Sequence, residues 1–199
     1  MKKYKLSISR FIFELFIVFI GVYGAFELTN YQQNVREEKI RENYFVSFKS
    51  ELNTLIFNID QVEKGISKEL YRLENYNDSL ESRPFTPVRI NFNQSLLITQ
   101  AGFNADVFVQ LNPDLASSLI GGFDYVKRLE AMSDDYNSLA SLKLYGHKWG
   151  DLFTSNREMK DEFAWYKSQL ESMAKNFSFV GNMMETQATP FINQVIEGF

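Results

Sequence analysis

The sequence predicts an all-α protein with a single membrane-spanning helix near its N-terminus, and three observations carry that expectation. An uninterrupted apolar run extends from Phe11 to Leu28, apolar residues beyond it recur at helical spacing, and proline appears only from position 84 onward. The run is eighteen residues long. As an α-helix it rises about 27 Å, close to the hydrocarbon thickness of a bilayer, and only Glu14 and Glu27 near its ends are charged.

Lys2, Lys3, Lys5 and Arg10 precede the run, whereas Arg36, Lys39 and Arg41 beyond it are interleaved with Glu37, Glu38 and Glu42. Positive flanks stay cytoplasmic, so the expected orientation is N-terminus in, body out, in a bacterial inner membrane with the body periplasmic. A secretory signal peptide is the competing reading, with Val22-Tyr23-Gly24 as a loose cleavage site. The length of the run and the polar helical sequence that follows it without a break favour retention as an anchor.

The remainder divides, on expectation, into a basic tail 1–10, the span 11–28, a long membrane-proximal helix 29–83, a connector 84–111 and a helical bundle 112–199 packed on the long helix. The long helix rests on Phe45, Phe48, Leu52, Leu55, Ile59, Val62 and Ile66, whose steps of three and four place every member on one stripe. Leu70, Leu73 and Leu80 extend the stripe imperfectly. Ile56 and Phe57 widen it, which favours packing against this chain's own later helices over an intermolecular coiled coil. Pro84 and Pro87 predict the stop near Arg83.

Segment 89–100 is ambiguous, because Val88, Ile90 and Phe92 alternate like a strand while Leu96 and Leu97 lead toward a helix ending at Gly102. Asn112-Pro113-Asp114 predicts a helix start, with Leu115, Leu119 and Ile120 as the apolar face and Gly121-Gly122 as the stop. Asp124 then caps a helix carrying Val126, Leu129, Met132, Tyr136, Leu139 and Leu142. Ser155 or Asn156 caps another through Phe163, Tyr166, Leu170, Met173 and Phe177, and Pro190 bends or divides the final segment.

Composition excludes several functions. With 199 residues, 19 Phe and 10 Tyr the chain can build a core, and a net charge of −4 without a basic stripe in the body argues against nucleic acid. There is no cysteine, so disulfides, thiol chemistry and Cys-ligated metals are out of reach. His147 is the single histidine and stands in a Gly-Lys-Trp-Gly turn context, while Asp134-Asp135 and Glu37-Glu38 are adjacent and point apart on a helix. No phosphate loop, metal-binding His pair or nucleophile elbow is present. The expectation is a protein that is not an enzyme, with no cofactor, no metal and no small-molecule substrate. Trp149 and Trp165 are candidate partner anchors or core.

Phe13-Glu14-Leu15 through Ile20-Gly21-Val22, then Ala25, Asn30-Tyr31 and a charged helix with Tyr44 and Leu52, resemble an uncharacterised family of single-span membrane proteins from Bacteroidota. Members of that family carry a Glu early in the span, an Ile-Gly-Ile centre and an Asn-Asn-Trp exit, for which this chain has Thr29-Asn30-Tyr31. Leu119, Gly122, Leu129 and Tyr136 are similar to the family's Leu, Gly, Leu and Tyr. The resemblance implies a membrane-anchored helical domain outside the cytoplasm, of unknown function.

Within the run, Gly21, Gly24 and Ala25 form a small-residue face on which another helix can approach closely. Glu14 lies one turn from Arg10, where an i, i+4 pair at the interface is favoured over proton transfer. The expected partners are the lipid bilayer and other membrane subunits or a second copy. The expected role is a structural or accessory subunit, with a sensor as the alternative, against which the ten-residue tail counts.

Overall fold

The computed structural model describes residues 5–97, 99–100 and 113–198, with side chains for 17–97, 99–100 and 121–198. Among the described residues the protein is all-α, and the pairings Pro84 with Lys148 and Phe153 with Met159 are isolated bridges. Helix α1 covers Lys5–Glu74, α2 Pro113–Leu144, α3 Ala164–Met183 and α4 Thr189–Glu197. The chain divides into two compact units, one up to Tyr44 and the other Phe45–Gly198.

In the first unit, every residue from Ile17 to Thr29 is exposed. Among the described residues no helix is long and apolar enough to cross a membrane. The side chains of Phe11–Phe16, and with them Glu14, lie outside the described residues.

The second unit contains the core. On α1, Phe45, Phe48, Leu52, Leu55, Ile59 and Ile66 are buried and Val62 is half-buried. The stripe then continues through Glu69 and Leu73 rather than Leu70, keeping strict steps of three and four. Helix α1 stops nine residues before Arg83. Asn75 ends it, its main-chain N–H and side-chain amide both donating to the Tyr71 carbonyl, at 3.0 and 2.8 Å. Asn77 is extended and its side-chain oxygen accepts from the Ser79 N–H at 3.1 Å, starting the 3-10 turn Asp78–Leu80. Short amide side chains offer the main chain an alternative to the helical ladder, and here they act before Pro84 does.

Helix α2 runs through Gly121-Gly122 instead of stopping there. Glycine weakens a helix by only about 1 kcal/mol. Gly122 is buried, and an added Cβ would stand 3.3 Å from the Met184 Cε, so the glycine serves close approach rather than termination. Asp124 therefore sits inside a helix and caps nothing. Asn112 and the side chains of Leu115, Leu119 and Ile120 lie outside the described residues. The buried face of α2 is Val126, Leu129, Ser133, Tyr136, Ala140 and Leu144. Met132 and Leu139 are half-buried and Leu142 is exposed, because the stripe moves on by four from Tyr136 to Ala140 and again to Leu144.

Ser155 and Asn156 cap no helix. Thr154 to Glu158 forms a tight turn, with Thr154 N–H on the Glu158 carbonyl at 2.8 Å and Arg157 N–H on the Thr154 carbonyl at 2.9 Å. Arg157 takes a φ of 63° there, and its guanidinium donates to both oxygens of Asp78, at 3.0 and 2.7 Å. A 3-10 turn, Asp161–Phe163, leads into α3. Phe163, Tyr166, Leu170, Met173 and Phe177 are all buried. A π-helical turn, Met184–Ala188, precedes Pro190 and separates α3 from α4.

Three helices share this core. Tyr166 bonds Glu69 while Gly181 meets Ile59, so α3 runs antiparallel to α1; Tyr136 stacks near Tyr166 while Gly122 meets Met184, so α2 is also antiparallel to α3. In the trench between α1 and α2 lies no fourth helix but the extended segment 84–96. Phe85, Ile90, Phe92 and Leu96 turn inward and Arg89, Asn91, Asn93 and Ser95 outward. Phe92 meets Phe177 edge-on at 4.9 Å, and Phe85 meets Trp149 and Tyr166 edge-on at 4.9 and 5.6 Å.

Candidate functional site

Among the described residues no strand lies beside the central stretch of the extended segment, so its main-chain groups need other partners. Helix side chains supply them on one edge. Asn137 accepts the Ile90 N–H at 2.9 Å and donates to the Ile90 carbonyl at 2.6 Å. The Tyr166 hydroxyl accepts the Val88 N–H at 3.1 Å, and the Tyr136 hydroxyl donates to the Val88 carbonyl at 2.8 Å. Glu130 accepts the Gln94 N–H at 2.6 Å while its other oxygen pairs with Lys127 at 2.7 Å. Residues 88, 90 and 94 thus point their main chain at α2 and α3.

Below Val88 lies the one buried carboxylate among the described residues, Glu69, with 2 % of its surface exposed. Tyr166 donates to one of its oxygens at 3.1 Å and Arg72 to the other at 2.6 Å. Arg72 in turn stands over the Trp149 ring at 5.0 Å. Burial pushes the Glu69 carboxyl above its ordinary range, and the Arg72 charge and the Tyr166 hydrogen bond oppose that rise only in part. Desolvation likewise raises both Tyr136 and Tyr166, so both stay neutral hydroxyls. The cluster joins α1, α2, α3 and the extended segment through one continuous set of hydrogen bonds.

Two hollows flank the segment. On the α2 side a hollow of about 820 Å³ is lined by Pro84, Pro87, Asn137, Ser141, Tyr145 and Lys148 among others. On the α1 side a groove of about 330 Å³ is lined by Asn58, Gln61, Gly65, Arg89, Asn91 and Asn93 among others.

His147 is half-buried, its ring edge-on to Phe163 at 5.2 Å and its Nδ1 3.7 Å from the Asp151 carboxylate. The Lys148 main-chain N–H, donated to Asp151, is the main cause that holds that carboxyl below its usual range. Trp149 is buried in a stack with Tyr76 and Phe153, and Trp165 is half-buried beneath the Lys143 ammonium at 5.8 Å. Asp134, Asp135, Glu37 and Glu38 are exposed. Among the described residues no group of three or more His, Cys, Asp and Glu could hold a metal ion.

Gly21, Gly24 and Ala25 are exposed, and open space surrounds an added Cβ at either glycine. Of the residues that carry the family resemblance in α2, Gly122, Leu129 and Tyr136 are buried in the core. Sequence reasoning missed Glu69, Asn137 and Glu130. Glu69 carried a signal, since it continues the steps of three and four from Ile66 to Leu73 and an ionisable residue on an apolar stripe needs a buried partner. Asn137 and Glu130 carried none, being polar residues beside a stripe. No protein-family model matches this chain, and no curated protein and no solved structure is significantly similar to it.

Proposed function

We propose that the protein is a single-pass inner-membrane protein, held by residues 11–28, whose periplasmic helical unit acts as a structural or accessory subunit of a membrane complex or homo-oligomer. The observation that carries this reading is the surface from Ile17 to Phe26, which holds no charged residue on any side and is exposed throughout. A helix apolar all round needs lipid or a partner around it. The cationic start and the mixed charges beyond Leu28 support the N-in orientation. Contact, not chemistry, is the work this reading assigns to the helical unit.

The absence of cysteine makes the test clean. Ser7→Cys and Ser141→Cys variants are labelled in intact spheroplasts with a membrane-impermeant maleimide, and the protein is extracted with alkaline carbonate. Retention in the pellet with labelling at position 141 and not at 7 is expected. Release into the carbonate supernatant would overturn the anchor, and the reverse labelling would overturn the orientation. Purification in mild detergent followed by mass spectrometry then tests the accessory role, for which a defined co-purifying membrane subunit or a homo-oligomer is expected and a lone monomer is the contrary result. The sensor reading draws on the hollow of about 820 Å³ beside α2. It requires a small ligand that raises the melting temperature.

A further inference from the structure

We propose that Glu69, Tyr166 and Tyr136 form a proton-operated switch, in which a proton taken up at Glu69 reverses the hydrogen bonds of the two tyrosines and loosens Arg72 from the Trp149 ring. The proposal rests on the helical unit Phe45–Gly198 and needs no membrane anchor.

Two protonation states fit the same atoms. With Glu69 ionised, Tyr166 donates to one carboxylate oxygen at 3.1 Å and Arg72 to the other at 2.6 Å. The Val88 N–H donates to the Tyr166 hydroxyl at 3.1 Å, and the Tyr136 hydroxyl donates to the Val88 carbonyl at 2.8 Å. A proton cannot settle on the oxygen facing Arg72, because a guanidinium carries donors only. It settles on the oxygen facing Tyr166, whose hydroxyl can turn from donor to acceptor. Tyr166 then aims its own hydrogen at the Tyr136 hydroxyl oxygen beside it, which donates onward to Val88 and has a lone pair to spare. Every polar group of the cluster keeps a partner in both states, which is what a buried network needs if it is to change charge without coming apart.

The output is Arg72. Its guanidinium stands over the Trp149 ring at 5.0 Å while 43 % of the side chain is exposed, so water can compete for it. Against an ionised Glu69 it makes a charge-assisted bond, roughly twice as strong as a neutral one. Against a neutral carboxyl that advantage is gone. Trp149 is tied to the Arg83 carbonyl by its main-chain N–H at 3.0 Å and meets Phe85 edge-on, so loosening Arg72 frees the end of α1 from the start of the extended segment. Other charged groups nearby are engaged elsewhere, Lys167 of α3 with Glu74 at 3.1 Å and Asp151 with the Lys148 N–H and His147, while Arg89 of the segment is exposed. The titratable groups that face Glu69 are therefore Arg72 of α1, Tyr136 of α2 and Tyr166 of α3, with the Val88 main chain from the segment. Burial favours proton uptake at the carboxyl.

The experiment uses the full chain in detergent micelles, carrying Trp165→Phe so that Trp149 is the only indole, and follows its fluorescence between about pH 4 and pH 8. Infrared spectra of the unsubstituted chain over the same range record the carboxyl C=O stretch. The expected result is a reversible one-proton step in the fluorescence with its midpoint above 4.5, a buried protonated carboxyl band that appears on the acid side of the same midpoint, and loss of both in Glu69→Gln. Tyr136→Phe removes the acceptor for the turned Tyr166 hydrogen and should lower the midpoint by about half a unit to one unit. The side-chain hydrogen bonds to Glu69 come from Arg72 and Tyr166, so a Tyr136 that only packs would leave the midpoint in place. Near-ultraviolet circular dichroism verifies the fold of each variant, and the infrared band of the unsubstituted chain decides proton uptake where a variant does not fold. Absence of either the step or the band, a step that survives Glu69→Gln and so belongs to another group such as His147, or an unmoved midpoint in Tyr136→Phe would each overturn the proposal.

Discussion

Asn137 satisfies the main chain of Ile90 in both directions, accepting its N–H at 2.9 Å and donating to its carbonyl at 2.6 Å. One side chain thus stands in for a neighbouring strand. Asn137→Ala leaves both groups half-buried and unpaired, and the expected loss of stability is about 2–4 kcal/mol. Guanidinium unfolding followed by the fluorescence of Trp149 and Trp165 measures it; a loss under about 0.5 kcal/mol would mean that water replaces the amide without penalty.

The two tyrosines at Val88 are not equivalent. Tyr166 both accepts the Val88 N–H and donates to Glu69, whereas Tyr136 donates to the Val88 carbonyl and has the Tyr166 hydroxyl beside it. Tyr166→Phe therefore strands a donor and a buried carboxylate oxygen, Tyr136→Phe a single acceptor. The expected losses are about 2–3 and about 1 kcal/mol in that order, and unfolding midpoints in the reverse order would contradict the assignment.

Glu69 sets a pH dependence whose sign follows from its raised carboxyl. Between the ordinary value of 4.5 and the higher folded value, the folded state binds more protons than the unfolded one. Stability therefore falls as pH rises through that window. Glu69→Gln keeps an acceptor for Tyr166 and cannot titrate, so it should remove this falling component. Denaturation midpoints of both proteins between about pH 4 and pH 7 make the comparison; parallel profiles would exclude Glu69 as the source.

Glycines in the helices divide by what surrounds them. Gly65 faces open space, and Gly65→Ala should stabilise by about 0.5–1 kcal/mol. At Gly181 an added Cβ would stand 3.0 Å from the Ile59 Cγ2 inside the core, and Gly181→Ala should destabilise by about 1–3 kcal/mol. Thermal melts of the two variants should shift in opposite directions.

The small-residue face of the proposed span makes a separate prediction. Gly21→Leu and Ala25→Leu, which fill the open face around Gly21, Gly24 and Ala25, should weaken self-association or subunit association in a membrane two-hybrid or crosslinking assay. Unchanged association would remove this face from consideration.

The α1 stripe was legible because its steps of three and four repeat without error from Phe45 to Ile66, and a helix can present such a stripe only on one face. Its end was not, because Pro84 is the louder signal and the amides of Asn75 and Asn77 the nearer one. Gly121-Gly122 misled for the opposite reason, since packing against Met184 outweighs the intrinsic preference of glycine. The extended segment was half legible. Val88, Ile90 and Phe92 alternate as a strand does, yet the groups that hold the segment are side chains 36, 47 and 78 residues away, and no local pattern announces them.

The π-turn Met184–Ala188 works as a vernier for the C-terminus. Seven residues of ordinary α-helix return within about 20° of the starting face, which would carry the α3 stripe from Met184 to Phe191. The wide turn absorbs one residue more, and the fully buried position is Ile192. The Met184 carbonyl accepts both the Thr189 main-chain N–H and, at 3.0 Å, the Thr189 hydroxyl, so one residue closes the wide turn twice. The last helix is thereby indexed by residue count rather than by composition: one deletion inside the turn would put Ile192 seven residues after Met184, where ordinary α-helix brings it to the same inner face, so the turn is the one place in α3–α4 where the chain can lose a residue and keep its buried side.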